Sequence, residues 1–285
     1  MNMNSFSQSL ALDGFLRIPQ LVSHRYCNFI SDAISLTIGD RSSPFFRDLD
    51  DHCPDSFLSD IWSSHFFSSF PQDYVPDCLP AFLSSVINTD HLILLQDTWF
   101  CRTHQCSTSI PWHHDQSIEG PFFSVWISLT DVPLGSSLRF VRGSHLSGLR
   151  YLPASFFNSV NSPDVLSSME QFYRSFHFDN NSPESFKHFA PVPTDLATNP
   201  DYQIIEVPTL KGDAIIFNGL VLHSLSSNGK VDTRGFVLRW VTPESVVSPY
   251  SNDAQIASKL LNIRLEPKTQ IKDPFFKTYD FSLSR

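Results

Sequence analysis

Residues 109–131 read SIPWHHDQSIEGPFFSVWISLTD, and this stretch decides the fold that we expect. It contains two runs rich in β-forming residues, 109–115 and 121–131, with turn-forming residues between them. Similar runs occur at 91–102, 137–142, 203–207, 213–218, 220–226 and 234–242. Two sets of about four strands predict a mainly β fold, a sandwich or barrel whose two halves close on each other.

The segments before the first β-rich run have a different character. Leu12 to Leu21 predicts a first strand. Ser23 to Leu36 carries apolar residues at helical spacing, and Ser23 is suited to be the N-cap of that helix. Residues 40–78 show no clear period, so we expect loops and short helices there.

A long polar excursion separates the two sets of strands. Residues 150–200 are rich in Ser, Pro, Asn and Asp, with one possible helix near 164–175, a texture typical of a lid or binding loop. We therefore expect a single domain over residues 1–285. Its predicted parts are N-terminal support at 1–90, a β core at 91–145 and 203–242, and a lid at 150–200.

Composition limits the classes of function. Apolar residues make up 41% and charged residues 17%, which suits a folded globule. A net charge of -9 without a basic cluster argues against nucleic acid as a partner. The apolar runs are strand-sized and no secretory signal is visible, so we expect a cytoplasmic protein without a membrane partner. The sequence does not indicate an oligomeric state.

Two residue types add to this expectation. The 26 Phe residues predict a large core and an apolar lining for a small-molecule site. The five cysteines are odd in number and lack CxxC pairing, which predicts free thiols rather than disulfides or a structural zinc site.

The polar cluster at 111–116 contains a candidate pair of metal ligands. In a strand, residues i and i+2 point to the same face, so His113 and Asp115 project together while His114 points away. An imidazole and a carboxylate, completed by a distant His, form the facial triad of non-haem iron enzymes. His-x-Asp is short enough to arise by chance, and it recurs at His177 and Asp179. That second pair lies in a polar stretch with no strand to hold it, so we treat it as a chance match.

The partners of the first pair lie further along the chain. Gly212 and Asp213 precede an apolar run, His223 follows, and Arg234 comes eleven residues later at the start of another β-rich run. Arg is the side chain best suited to grip a carboxylate with two hydrogen bonds. If adjacent antiparallel strands carry them, His223 and Arg234 share one inner wall, at a separation that suits a five-carbon diacid.

These residues resemble the phytanoyl-CoA dioxygenase family of iron(II)/2-oxoglutarate oxygenases. The resemblance runs from about Asp13 to Trp240 and keeps the order and spacing of the three iron ligands. The pieces that carry it are Asp13-Gly14-Phe15, Trp112-His113-x-Asp115-Gln116, Ser124 to Leu129, Val141 to His145, and Gly212-Asp213 ahead of His223 and Arg234. It implies a double-stranded β-helix, or jelly-roll, core with N-terminal helices and an inserted lid.

The resemblance also implies site roles. His113, Asp115 and His223 would bind Fe(II), and Arg234 would pair with the distal carboxylate of 2-oxoglutarate. Arg102 and Trp126 are candidate co-substrate contacts. Gln96 is a candidate substrate contact, with a structural role as the alternative, while His114 and His145 are assigned to supporting roles. Leu225 replaces the small residue or Ser that many relatives carry two positions after the distal His.

The implied reaction consumes O2 and 2-oxoglutarate, with ascorbate as a reductant, releases succinate and CO2, and hydroxylates a small-molecule substrate. Asp115 argues against halogenation, because halogenases of this kind need a small residue at that position. Desaturation, ring closure and epoxidation remain open. Two alternatives from other classes also remain: a β-fold binding or regulatory protein without turnover, and a cupin-like zinc or manganese hydrolase or isomerase.

Overall fold

Two antiparallel β-sheets form the centre of the molecule in a computed structural model, which describes residues 3–50, 52–115, 117–151, 189–190, 192–226, 231–248, 257–258 and 260–283. Its α-helices are α1 (Met3–Asp13), α2 (His24–Asp40), α3 (Ser63–Phe66) and α4 (Cys78–Ile87). The strands of the first half are β1 (Phe15–Ile18), β2 (Arg47–Asp48), β3 (Phe57–Ile61), β4 (His91–Arg102), β5 (Ile110–His113), β6 (Ile118–Glu119), β7 (Phe122–Ser128), β8 (Leu138–Val141) and β9 (Arg150–Tyr151). Those of the second half are β10 (Phe189–Ala190), β11 (Ile204–Val207), β12 (Ala214–Asn218), β13 (His223–Leu225), β14 (Thr233–Val241), β15 (Val246–Val247) and β16 (Lys277–Asp280).

The strand order shows how the chain winds between the two sheets. The main sheet runs β1-β12-β7-β14-β4-β3-β2, with β16 also paired to β4, and the second sheet runs β11-β8-β13-β5. Strands β4, β7, β12 and β14 therefore alternate along the chain with β5, β8, β11 and β13, except that β8 and β11 follow each other and pair within the second sheet. This alternation is a double-stranded β-helix, so the predicted fold class is confirmed.

The predicted elements match the structure closely in the β core. Each of the eight β-rich runs overlaps one of the eight core strands. The predicted helix is α2, and the Ser23 side chain caps it by accepting a hydrogen bond from the Tyr26 backbone N–H. The predicted first strand, Leu12 to Leu21, is too long at both ends: β1 is Phe15–Ile18, and Leu12 belongs to α1.

Strand β3 was also missed, within the region expected to hold only loops and short helices. All five of its residues are buried, so the segment lacks the alternation of a half-exposed strand. It also contains Asp60, and a carboxylate is unfavourable in an apolar core unless it is hydrogen-bonded. The structure satisfies that carboxylate with hydrogen bonds from the hydroxyls of Ser43 and Ser63 and from the Ile61 N–H.

Two motifs of the resemblance are structural. Arg142 Nε and Nη2 donate to the two carboxylate oxygens of Asp13, at 2.6 and 3.1 Å. Gly14 adopts a φ of +86°, and a Cβ there would lie 2.6 Å from His145 Nδ1. His145 in turn lies 3.1 Å from the Ala11 carbonyl oxygen, which agrees with its supporting role. These contacts fasten the N-terminal segment to the turn after β8.

The two faces of β14 pack against different parts of the molecule. Phe236, Leu238 and Trp240 join the apolar cluster that also contains buried residues of α2. Val237 joins the cluster inside the β-helix, together with Trp126 and other residues of both sheets. Odd-numbered residues of β14 therefore face the interior between the sheets, and even-numbered ones face the helices.

Several further expectations have an outcome here. All five cysteines are free, as predicted, although Cys78 is exposed. None of the helices in the described ranges is long and apolar enough to cross a membrane. The predicted lid helix at 164–175, and the chance pair His177 and Asp179, lie outside the described residues.

The interior of the β-helix has room for hydrogen but not for a methyl group at Gly235. A Cβ there would overlap the Trp126 indole, which is stacked on Phe100 at a centroid distance of 5.6 Å. We expect Gly235→Ala to lower the free energy of unfolding by about 1–3 kcal/mol. The measurement is urea unfolding followed by circular dichroism.

Gly39 is the matched control, because it lies in α2 with no atom within 4 Å of the site of a new Cβ. We expect Gly39→Ala to raise the free energy of unfolding by about 0.5–1 kcal/mol through helix propensity. Equal effects of the two substitutions would contradict the packing at Gly235.

Candidate metal centre

The pairing of β5 with β13 places two histidines opposite each other. His113 is the register partner of His223, and their ring centroids are 4.2 Å apart. Both rings face the interior between the sheets, where His223 also packs against Phe217 at a centroid distance of 4.8 Å. The predicted proximity of the two imidazoles is confirmed.

Asp115 lies just past the end of β5 and completes the group. Its backbone N–H donates to the Gly219 carbonyl at 2.8 Å, which ties this part of the chain to the turn before β13. One ligand atom each from His113, Asp115 and His223 can be chosen so that all lie within 4.8 Å of one another. The three residues predicted from the sequence therefore converge on one point.

Backbone carbonyls orient both imidazole rings. His113 Nδ1 lies 2.8 Å from the Pro111 carbonyl oxygen, and His223 Nδ1 lies 2.9 Å from that of Val221. Since a carbonyl only accepts, Nδ1 carries the proton and the ring lone pair is on Nε2. This is the usual arrangement of a metal-binding histidine and its orienting partner.

The protonation states also suit a cation. Burial lowers the pKa of His113 to about 3 and lowers the pKa of His223 as well, so both rings are neutral at pH 7. Burial alone would raise the pKa of Asp115, but Arg239 and the two imidazoles hold it well below its usual range. Two neutral imidazoles and one carboxylate fit a divalent metal such as iron(II), with further coordination positions left for other ligands.

Two neighbours position the Asp115 carboxylate. Ser124 Oγ donates to Oδ2 at 3.0 Å, and Arg239 Nη2 lies 3.4 Å from Oδ1. Arg239 Nη1 also donates to Thr98 Oγ1 at 2.9 Å, and Thr98 accepts a hydrogen bond from Gln96. A polar group of Gln96, Thr98 and Arg239 thus adjoins the triad on the wall formed by the main sheet.

Sequence reasoning missed Arg239. The available signal was its place on β14, five residues after Arg234 and therefore on the opposite face of the strand. Gln96, the candidate substrate contact, is linked to Asp115 of the triad through Thr98 and Arg239. His114 does not join the triad: it is buried, and its Nε2 accepts a hydrogen bond from the Tyr151 N–H.

The predicted common wall for His223 and Arg234 is wrong. Their strands, β13 and β14, belong to different sheets. Arg234 also points to the helical side of the main sheet, where its Nη1 donates to the Ser31 carbonyl and to Ser35 Oγ of α2. The structure therefore does not bring the Arg234 guanidinium together with the triad.

Arg102 and Trp126, the other two candidate co-substrate contacts, both line a small cavity between the sheets. Leu225, two residues after His223 on the same strand, also lines it. The cavity therefore begins about one residue layer away from the triad. As it stands, its volume of about 10 Å³ has room for a single water molecule.

The sequence model of the phytanoyl-CoA dioxygenase family matches residues 11–229. A search of curated protein sequences gives no significant match.

Solved structures share the fold at low sequence identity. The epimerase SnoN, in complex with Fe3+, α-ketoglutarate and nogalamycin RO, is 14% identical with a TM-score of 0.67, and the match covers 97% of this chain and 98% of SnoN. The carbocyclase SnoK of nogalamycin biosynthesis is 13% identical with a TM-score of 0.64, covering 96% and 95%. EctD from S. alaskensis, with 2-oxoglutarate and 5-hydroxyectoine, is 10% identical with a TM-score of 0.60, covering 88% and 80%.

The triad predicts which variant loses metal. We expect His113→Ala to weaken Ni(II) or Fe(II) binding by more than ~100-fold, because loss of even an orienting partner of a ligand costs about 10–100-fold. Isothermal titration under anaerobic conditions measures the affinity.

His104→Ala is the control, since His104 is exposed and lies 3.1 Å from Asp232. Its metal affinity should equal that of the wild type. Retention of tight metal binding by His113→Ala would show that the ion binds elsewhere.

Proposed function

Because the chain belongs to the phytanoyl-CoA dioxygenase family, we propose that it is an iron(II)- and 2-oxoglutarate-dependent oxygenase that hydroxylates a small metabolite or biosynthetic intermediate. The observation that carries the proposal is the convergence of His113, Asp115 and His223 between the two sheets. An intact triad of this composition suits a redox-active metal enzyme better than a binding module.

The roles of the residues follow from their contacts. His113, Asp115 and His223 would hold iron(II), with Ser124 and Arg239 fixing the carboxylate. When bound, iron and 2-oxoglutarate supply O2 activation, one oxygen atom entering the substrate C–H bond and the other the succinate formed with CO2. The protein's part is to place one C–H bond beside the metal.

The surroundings of the triad suit the exclusion of water. Phe140 and Phe217 pack against His223, at centroid distances of 6.1 and 4.8 Å. Both belong to the buried apolar cluster inside the β-helix. Dry walls on this side protect a reactive centre from side reactions with solvent.

The polar group of Gln96, Thr98 and Arg239 makes one wall beside the metal site polar. Arg239 lies against Asp115 of the triad, Thr98 accepts a hydrogen bond from Arg239, and Gln96 donates one to Thr98. We propose that Gln96 contacts a substrate that is partly apolar and has polar groups. The acidic chain, without a basic cluster, disfavours an acyl-CoA substrate, since that ligand carries several phosphates.

Hydroxylation is the proposed outcome, but the fold hosts others. SnoN is an epimerase and SnoK is a carbocyclase. Product mass separates these outcomes for this chain: a hydroxylated product gains one oxygen atom, a cyclised or desaturated one loses two hydrogen atoms, and an epimer is unchanged.

The test of the proposal is succinate release. Purified protein supplied with iron(II), ascorbate, 2-oxoglutarate and O2 should form succinate even without substrate, at a slow uncoupled rate. We expect Asp115→Ala to abolish this release, because the carboxylate is one of three ligands. His177→Ala is the control and should match the wild type, since the second His-x-Asp pair is expected to be a chance match.

Two results would contradict the proposed activity, and a third would contradict the choice of metal ligands. A binding protein would release no succinate under any of these conditions. A zinc or manganese hydrolase or isomerase would act on its substrate without O2 and without 2-oxoglutarate. Equal loss in His177→Ala and Asp115→Ala would mean that the wrong pair was assigned to the metal.

A further inference from the structure

Arg102 is a buried cation without a carboxylate partner. Only 3% of its surface is exposed. Among the described residues no Asp or Glu forms an ion pair with it, and no carboxylate contributes to its pKa, which burial lowers to about 10. Taking a guanidinium out of water without a counter-charge is costly, so this position calls for an anion.

The protein satisfies the guanidinium only in part. Arg102 Nη1 donates to the Ser226 carbonyl and Nη2 to the Ser136 carbonyl, both at 2.6 Å. The side chain thereby crosses from β4 in the main sheet to the ends of β13 and β8 in the second sheet. Its buried Nε–H is thus a donor without a hydrogen-bond partner inside the β-helix.

The location of Arg102 relates it to the triad. Arg102 lines the cavity together with Leu225 and Trp126. Leu225 follows His223 by two residues on β13, a distance of about 7 Å along a strand. Trp126 follows Ser124, the hydrogen-bond partner of Asp115, by two residues on β7. A five-carbon diacid is about as long as this two-residue spacing along a strand.

We propose that Arg102, and not Arg234, binds the distal carboxylate of 2-oxoglutarate, an inference that rests on the proposed function. The carboxylate would supply the missing counter-charge and accept from the fork, which matches its planar geometry. Arg234 is already committed to Ser31 and Ser35 of α2 on the other side of the sheet. Since the cavity is small, the lining side chains must shift to admit the diacid.

The experiment compares two 2-oxo acids on protein loaded with Ni(II), which binds the acids without turnover. 2-Oxoglutarate and 2-oxovalerate have the same chain length, but the second carries a methyl group where the first has its distal carboxylate. Isothermal titration gives both dissociation constants. The ratio of these constants isolates the contribution of the distal carboxylate from metal chelation.

We expect the wild type to prefer 2-oxoglutarate by ~30-fold or more, as for a charge-assisted hydrogen-bonded pair. In Arg102→Met the preference should fall to within ~3-fold, while Arg234→Met, the matched control, should keep the full preference. Arg102→Lys should retain part of it, since an ammonium keeps the charge but loses the fork. Arg102→Gln keeps an amide donor for the carbonyls of Ser136 and Ser226. It replaces Arg102→Met in the comparison if that variant does not fold, with the same loss of preference expected.

Other outcomes separate this inference from the proposed function. Loss of the preference in Arg234→Met and its retention in Arg102→Met or Arg102→Gln would overturn the assignment to Arg102. Equal binding of the two acids by the wild type would also overturn it, while leaving 2-oxo acid binding at the metal intact. Binding of neither acid to the metal-loaded wild type would refute the proposed function itself.

Discussion

The antiparallel pairing of β5 with β13 is the constraint on which the site depends. It sets His113 opposite His223, and a shift of one residue in either strand would turn one imidazole out of the interior. The pairing shifts by one residue between His223 and Leu225, after which Leu225 pairs with Ile110 on one side and Leu138 on the other, and all three belong to or pack on the inner cluster. The metal centre is therefore specified by core packing as much as by its ligands.

Buried charge is the second theme of the interior. Asp115 is a buried anion, and its charge is compensated by Arg239 and by a hydrogen bond from Ser124. The two histidines avoid the problem by staying neutral, with their rings fixed by the carbonyls of Pro111 and Val221. The same residues therefore give a stable fold and a donor set with one negative charge, which suits a divalent cation.

The sequence sufficed for features that depend on local pattern and failed where tertiary context decides. The alternation rule found His113 and Asp115 because His113 ends β5 and Asp115 follows it by two residues. It failed for Arg234, because β14 is buried on both faces, by helices on one side and the second sheet on the other, and so shows no apolar-polar alternation to set its phase. The sequence also failed to predict β3, because Asp60 is a charged residue in a buried strand. Its hydroxyl partners, Ser43 and Ser63, come close to it only in the folded structure.

Arg102, Arg234 and Arg239 differ in how their charges are compensated, and this difference divides the interior. Arg234 lies on the outer face and links β14 to α2. Arg239 has Asp115 beside it, so the metal end of the β-helix needs no further anion to be stable. Among the described residues Arg102 has two backbone carbonyls and the Phe57 ring but no carboxylate. It ends a strand whose inner face runs from Gln96 and Thr98 through Phe100. The charge is therefore compensated at the metal end and uncompensated at Arg102. An elongated ligand with a chelating end and an anionic end complements this distribution of charge. A monoanion held at the metal would leave the Arg102 guanidinium without a counter-charge.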